Sequence, residues 1–184
     1  MKNILVFICC FAPVIVFSQK TFISIGGELA LPSSSGLKSV AGTGIGGSFR
    51  VESSWSNHIA GIATIGYLWF AKEDHFFNTS TSTTFKALSI QAGIKYYTRE
   101  KKEIQKGFFI SAELGAMPTT THFDYESNPD LNFKETGISV APGLGFMLGK
   151  IELSLRLQYN LTASGLNVYY YNFRLAYAFL KQKR

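Results

Sequence analysis

The amino-acid sequence predicts an all-β protein, an eight-stranded antiparallel up-and-down transmembrane β-barrel. Strict alternation from 151 to 161 is the first observation: odd positions are large and apolar, and even positions are polar or charged. A period of two places these sets on opposite faces of a strand, and a tilted strand of about 9–11 residues crosses a bilayer. Secondly, charged residues make up only 16% of the chain, against about 25% in soluble domains. Thirdly, no segment after residue 18 reaches the roughly 18 consecutive apolar residues of a membrane helix.

The amino terminus has the composition of an export signal. A lysine at position 2 is followed by an apolar run over residues 4–17, and Ser18 stands where cleavage after a small residue is expected. The run is shorter than the about 20 apolar residues that a membrane helix needs. We therefore expect a signal peptide over residues 1–18 and one barrel domain over 19–184. Both cysteines lie inside the signal, so we expect no disulfide in the mature chain.

The same alternation runs through eight segments, in chain order at about 21–32, 44–54, 58–70, 88–96, 108–115, 138–148, 151–161 and 169–179. Their apolar faces are carried, in the same order, by Ile25 and Leu29, Ile45 and Phe49, Ile65 and Trp69, Leu88 and Ile94, Ile110 and Leu114, Leu144 and Phe146, Leu153 and Leu157, and Phe173 and Leu175. A run of alternating segments of this length predicts membrane-crossing strands.

The connections between these segments alternate in length. Polar loops are expected at about 33–43, 71–84, 119–134 and 162–167, and short turns at about 55–57, 99–106 and 149–150. Long loops outside and short turns in the periplasm are the rule for membrane barrels. Pro142 falls within the sixth segment, and because proline cannot donate to a ladder, we expect a bulge there.

The polar faces indicate which side of each strand lines the barrel interior. They are rich in Gly, Ala and Ser, which suits a cramped interior, and their charges balance. We predict an interior ion network of four acidic and four basic residues: Glu28, Glu52, Glu113, Glu152, Arg50, Lys95, Arg156 and Arg174. Facing lipid, Arg156 or Arg174 would each cost about 2–4 kcal/mol near the midplane. A soluble lipocalin-like barrel with its apolar face inward around a ligand is the alternative, and a pore forms only if the network opens.

Aromatic residues near the strand ends predict two interfacial girdles, formed by Tyr67, Trp69, Tyr96, Tyr159, Tyr169, Tyr171, Tyr177 and Phe179. With this feature the pattern over 21–180 resembles the small eight-stranded outer-membrane β-barrel family, typified by OmpX and the membrane domain of OmpA. The resemblance implies a monomer in the outer membrane of a Gram-negative cell. It also implies contact with membrane lipid and lipopolysaccharide, and a structural or surface-interaction role through exposed loops. Members commonly end on a strand-terminal Phe, whereas five further residues follow Phe179 here.

No motif points to a cofactor, a metal or nucleic acid. Residues 42–47 match GxGxxG, but a loop precedes them and a strand follows, whereas a dinucleotide site needs a strand before and a helix after. His58, His75 and His122 lack metal-ligand spacing. Some small outer-membrane barrels modify lipid A by acyl transfer or deacylation, and the nearest catalytic candidates here are His122 with Asp124 and His75 with Ser80. Nothing in the sequence orients these pairs, so we expect no enzyme.

The remaining functional signal lies in the predicted loops and at their rim. The 119–134 loop combines aromatic and acidic residues that suit adhesion or cation binding: Phe123, Asp124, Tyr125, Glu126 and Asp130. Lys86 and Lys134 have the outward parity of their strands near the external rim. We expect these two lysines to pair with lipopolysaccharide phosphates.

Overall fold

The chain folds as a closed barrel of eight antiparallel strands in which every strand pairs with its sequence neighbours and the last strand pairs with the first. This is a computed structural model that describes residues 21–76, 79–98, 106–125, 128–162, 165 and 167–181. The predicted signal peptide and most of the 99–106 turn lie outside the described residues. The fold class predicted from the alternation is confirmed.

The elements run in chain order as β1 (Thr21–Pro32), α1 (Ser35–Val40), β2 (Gly44–Ser54), β3 (Ile59–Phe76), β4 (Thr79–Tyr97), β5 (Lys106–Tyr125), β6 (Asn128–Leu148), β7 (Ile151–Leu161) and β8 (Val168–Lys181). The helix α1 begins after Ser34, whose hydroxyl accepts a hydrogen bond from the Leu37 amide at 3.3 Å. No helix in the described part of the chain is long and apolar enough to cross a membrane.

The barrel is apolar outside and polar inside. Large side chains such as Ile25, Ile65 and Leu175 are more than half exposed, whereas the neighbouring inward positions are buried. A soluble protein rarely exposes a continuous apolar surface of this extent, and in a membrane this surface faces lipid at no cost. The outward assignment of the apolar set is therefore confirmed, and the lipocalin-like alternative is not favoured.

Four strands are longer than the sequence predicted. The segments 71–84 and 119–134, expected as loops, are strand in β3, β4, β5 and β6 over nearly their whole length. Residues 77–78 and 126–127, which separate these strands in the chain, lie outside the described residues. Because β1, β2, β7 and β8 end lower, the upper parts of β3–β6 stand above the barrel. We call residues 71–76, 79–86, 119–125 and 128–137 the raised sheet.

Pro142 does not create the expected bulge. The ladder between β6 and β7 is interrupted at Ala141 and Pro142, yet Val140 pairs with Tyr159 and Gly143 with Arg156 in one unchanged register. The missing donor removes a rung without adding a residue. The register shift that involves β6 lies instead in its pairing with β5, between Phe123 and Tyr125 in the raised sheet.

Candidate functional site

The interior of the barrel holds an ionic layer whose centre is Glu152 on β7. Its Oε1 atom accepts from Arg50 Nη1 at 2.7 Å and from Arg174 Nη1 at 2.9 Å, and its Oε2 atom accepts from Lys95 Nζ at 3.0 Å. These four side chains belong to four different strands and are almost fully buried. One carboxylate thus joins three cations across the barrel.

The ionic layer continues on both sides of this centre. Arg50 also binds Glu113 at 2.8 Å, and Lys95 also binds Glu52 at 2.8 Å. Arg156 Nη2 donates to Glu28 Oε1 at 2.5 Å. Arg156 Nη1 also lies 3.4 Å from Glu113 Oε1. All eight sequence-predicted charges therefore belong to one connected network of ion pairs, with four residues of each sign.

Neutral side chains add hydrogen bonds to this layer, and the sequence did not single them out. Arg50 Nε donates to Thr64 at 3.0 Å, and the Tyr97 hydroxyl donates to Glu52 at 2.8 Å. Asn172 Nδ2 donates to Glu28 at 2.7 Å, and Arg174 donates to Ser48 at 2.8 Å. Each has the inward parity of its strand, so the alternation held a signal for them. Ionised side chains out of water need these extra bonds, because ion pairing alone seldom offsets desolvation.

Apolar layers close the barrel above and below the charges. The upper layer contains Phe70, Phe85, Met117 and Tyr170, and Leu37 of α1 packs into it from the barrel mouth with 2% of its surface exposed. The Phe70 ring meets the rings of Phe85 and Tyr170 edge to face, with centroids 5.4 and 5.6 Å away. The helix α1 therefore acts as a lid, and nothing in its sequence had suggested this.

The lower layer lies at the end of the barrel that holds the short turns. Tyr97, Phe109 and Met147 are buried there beside Ala60 and Ala178. Lys95 Nζ lies 4.2 Å from the centroid of the Phe109 ring, so the aromatic floor also contacts the ionic layer. Charges between two packed apolar layers form a closed interior.

The two rim lysines lie in one hydrogen-bonded row of the outer face. Lys86 on β4 and Lys134 on β6 are both register partners of Thr120 on β5, and Trp69 on β3 lies on the other side of Lys86. Both lysines are exposed. With strands about 4.8 Å apart, their Cα atoms lie roughly 10 Å from each other, a distance that two long side chains can bridge around one anion.

The raised sheet has two features of an interaction surface. Among the described residues, β2 pairs with β3 only as far as Phe70 and β7 pairs with β6 only from Ile138, which leaves 71–76 and 128–137 as sheet edges. On the face toward the barrel axis, Leu131 and Phe133 are 47% and 58% exposed. The Phe133 ring also meets that of Phe123 edge to face, with centroids 6.0 Å apart.

Of the four side chains in the candidate catalytic pairs, the structure describes that of His122. The His122 ring contacts the Asn132 amide oxygen at 2.8 Å, and the Asp124 side chain lies outside the described set. His75 and Ser80 are register partners in the β3–β4 ladder, although neither side chain is described. Within the described part of the chain, no group of three His, Cys, Asp or Glu side chains could hold a metal ion.

The GxGxxG segment serves close packing within the barrel. Its Gly44 and Gly46 belong to β2 and point inward, and a Cβ atom would overlap the Phe70 ring at Gly44 and the Tyr67 carbonyl oxygen at Gly46. The only helix next to the segment, α1, precedes it. The arrangement lacks the strand–loop–helix context of a nucleotide site.

Comparison with solved structures shows which known proteins share this architecture. Ail, the attachment invasion locus protein of Yersinia pestis, solved in complex with the heparin analogue sucrose octasulfate, superposes with a TM-score of 0.62 at 15% identity, over 88% of this chain and 99% of that one. The fold is that of the small outer-membrane β-barrels. OprG from Pseudomonas aeruginosa superposes with a TM-score of 0.53 at 12% identity, over 88% of this chain and 97% of that one. No family model and no curated protein matches the sequence.

Proposed function

We propose that this protein is a closed, non-conducting barrel of the bacterial outer membrane that presents the raised sheet as a docking surface at the cell exterior. The observation that carries the proposal is the contrast between the two ends of the molecule. The interior is filled by paired charges between apolar layers, whereas the raised sheet has exposed apolar side chains and two edges. The function therefore depends on the raised sheet and not on the barrel interior.

The partner that fits is an extended protein segment with alternating apolar residues. An unpaired strand edge offers a row of main-chain donors and acceptors, which an added strand can pair with. A segment paired along 128–137 of β6 would bring every second side chain onto the face that carries Leu131 and Phe133. Burying these two side chains supplies the apolar contribution to binding.

Selection of peptides on the barrel in lipid nanodiscs tests this docking surface. A random library displayed on phage should yield peptides with alternating apolar positions, and these should bind about tenfold or more weakly to a Leu131→Ser, Phe133→Ser double variant, since two buried apolar contacts are lost. Asn132→Ala, on the opposite face of the same strand, is the matched control and should bind as the unchanged chain does. Peptides without alternation, or binding that survives the double variant, would contradict the proposal.

A second proposed contact is a lipopolysaccharide phosphate held between Lys86 and Lys134. Its support is the shared register partner Thr120, which sets both exposed lysines on one row at the rim. Each lysine near an anionic lipid surface contributes about 1 kcal/mol, or roughly fivefold in affinity, and the effect is screened by salt. Lys86→Ala and Lys134→Ala should therefore each lower the lipopolysaccharide that co-purifies with the barrel, and added salt should do the same.

Lys38→Ala, an exposed lysine on α1, is the matched control for charge. Equal lipopolysaccharide retention in the double variant Lys86→Ala, Lys134→Ala and in the unchanged chain would exclude the phosphate contact. So would a loss of the same size in the control.

We further propose that the barrel is a monomer without catalytic activity and that residues 1–18 are removed on export. The membrane-crossing part of the sheet is closed and offers no edge to a second copy. Light scattering of the detergent complex should give one chain per particle. Mass spectrometry of the exported protein should give an amino terminus at Gln19. Mass spectrometry of the lipid A from the expressing cells should give an unchanged acyl pattern. An altered acyl number would support an enzyme.

A further inference from the structure

The lipid-facing wall carries a groove of about 680 Å³ that crosses β8, β7 and β6 and reaches β1 and β5. One side is formed by Leu175, Leu153 and Phe146, which are consecutive register partners on neighbouring strands. The other side is formed two residues along each strand by Phe173, Leu155 and Leu144, which are paired in the same way. The groove thus runs between two parallel rows of large apolar side chains.

The floor of the groove is bare backbone. Arg174 and Ser154 lie between the two rows and line the groove, but their side chains point into the barrel. At the β1 end the row reaches Gly27, which is exposed and has open space where a Cβ atom would stand. At the β5 end it reaches Phe108, close to the start of that strand. The volume falls within the about 300–1,000 Å³ of small-molecule sites.

A cation stands at the short-turn end of β7, below the middle of this groove. Lys150 is exposed in the turn between β6 and β7, where Gly149 has a φ of +63°. Its carbonyl oxygen accepts from the Ala178 amide at 2.7 Å, and its Nζ atom lies 5.8 Å from the centroid of the Tyr177 ring. The position is therefore fixed at the short-turn rim, three residues or about 10 Å from Leu153 on the groove wall.

We propose that this surface binds one anionic phospholipid of the periplasmic leaflet, with its phosphate at Lys150 and one acyl chain in the groove. The charge of Lys150 complements the phosphate, and the apolar walls complement the chain. Tyr177 supplies an interfacial ring at the level of the headgroup. The site lies at the opposite end of the barrel from the raised sheet and from Lys86 and Lys134, so it is independent of the function proposed above.

Native mass spectrometry of the full exported chain tests the site. The barrel is equilibrated in mixed micelles with equal amounts of phosphatidylglycerol and phosphatidylcholine, and the lipid that stays bound is counted. We expect one phosphatidylglycerol retained in preference to phosphatidylcholine. Lys150→Ala should lower that preference about fivefold, because one lysine near the surface is lost. Lys38→Ala, at the other end of the barrel, should leave it unchanged.

The groove is tested by Gly27→Leu, which fills its β1 end from an outward position with open space. This variant should retain less of both lipids, and Leu175→Ala, which removes part of one wall, is a second variant for the same purpose. A heat-modifiable shift in gel mobility verifies that each variant is folded. Three results would overturn the proposal: equal retention of the two lipids by the unchanged chain, full retention in Lys150→Ala or in the groove variants, or an equal loss in Lys38→Ala. Each would mean that the bound lipid is annular lipid without a specific site.

Discussion

Arg50 and Glu113 stand 63 residues apart in the chain, yet the Arg50 Nη2 atom donates to Glu113 Oε1 at 2.8 Å inside the barrel. The two residues lie on β2 and β5, which are not neighbours in the sheet. Arg50 also binds Glu152 on β7, so one guanidinium group ties three separated strands together. Such ion pairs between non-neighbouring strands add to the hydrogen bonds between neighbouring strands, and they fix the cross-section of the barrel.

The first prediction concerns Glu152, the carboxylate that binds three cations. Glu152→Gln keeps the size of the side chain but leaves Arg50, Lys95 and Arg174 with less negative charge in a buried layer. Removing one partner of a buried pair costs about 3–5 kcal/mol. We expect a loss of this size in the free energy of unfolding, measured by urea titration in lipid vesicles with tryptophan fluorescence.

A double-mutant cycle with Lys95→Met separates charge imbalance from lost packing. Because Lys95 is one of the three cations on Glu152, the double variant should lose less free energy than the two single variants added together. Glu135→Gln, on the raised sheet, is the comparison for a carboxylate outside the ionic layer. Strict additivity of the two interior substitutions would show that the network does not act as a unit.

The second prediction compares two glycines. Gly93 lies inward on β4, and a Cβ atom there would overlap the Ala112 carbonyl oxygen and stand 2.8 Å from Glu113 Cα. Gly93→Ala should therefore destabilise the barrel by about 1–3 kcal/mol, as overpacking does. Gly27→Ala, at an outward position with open space, should change the free energy of unfolding by less than about 0.5 kcal/mol. Equal effects in the urea titration would contradict the inside–outside assignment.

The third prediction uses the two tryptophans as reporters of the membrane surface. Trp69 is 43% exposed on the outer face of β3, whereas Trp55 lies in the turn after β2. In a Trp55→Phe variant, lipids brominated near the top of the acyl chain should quench the remaining fluorescence more strongly than aqueous iodide does, because Trp69 lies in the interfacial girdle. In a Trp69→Phe variant, iodide should quench instead. Stronger quenching of Trp69 by iodide than by the brominated lipids would place that face of the barrel in water.

The inside–outside order could be predicted from the sequence because the alternation is strict where both faces are constrained. From Ile151 to Leu161 each odd residue meets lipid and each even residue meets the packed interior, so neither set can contain exceptions. The ion network followed from the same parity. The parity did not indicate which charge binds which, because partners such as Glu28 and Arg156 lie on strands that are not neighbours.

The raised sheet was not predicted because most of it lies above both the lipid-facing wall and the packed core, which Phe85 still reaches. Residues 79–84 are Thr and Ser throughout, which form strands readily but show no apolar period. The same absence of burial is why β6 carries exposed Leu131 and Phe133 there. The polar composition predicts a loop there, whereas the β-branched threonines are the signal that favours a strand.

The lid was missed for a different reason. The helix α1 spans six residues, too few for a recognisable apolar period, and Leu37 is its one described apolar residue in the core. Tyr170 and Phe70 have the inward parity of their strands, but parity does not indicate that inward aromatic rings stack in a layer above the charges. Closure of the mouth is therefore a property of the folded chain that no single segment encodes.

The last prediction follows from the three interior layers. A conducting path would have to pass Leu37 and Phe70 above, the ion pairs of Glu152 in the middle and Phe109 below. The folded barrel should therefore give no stepwise conductance in planar bilayers, and Phe70→Ala should stay silent because two layers remain. Insertion is verified in the same sample by heat-modifiable gel mobility. Current steps from the inserted, unchanged chain would mean that the ion pairs separate in the membrane. The barrel would then be a gated pore and not a closed one.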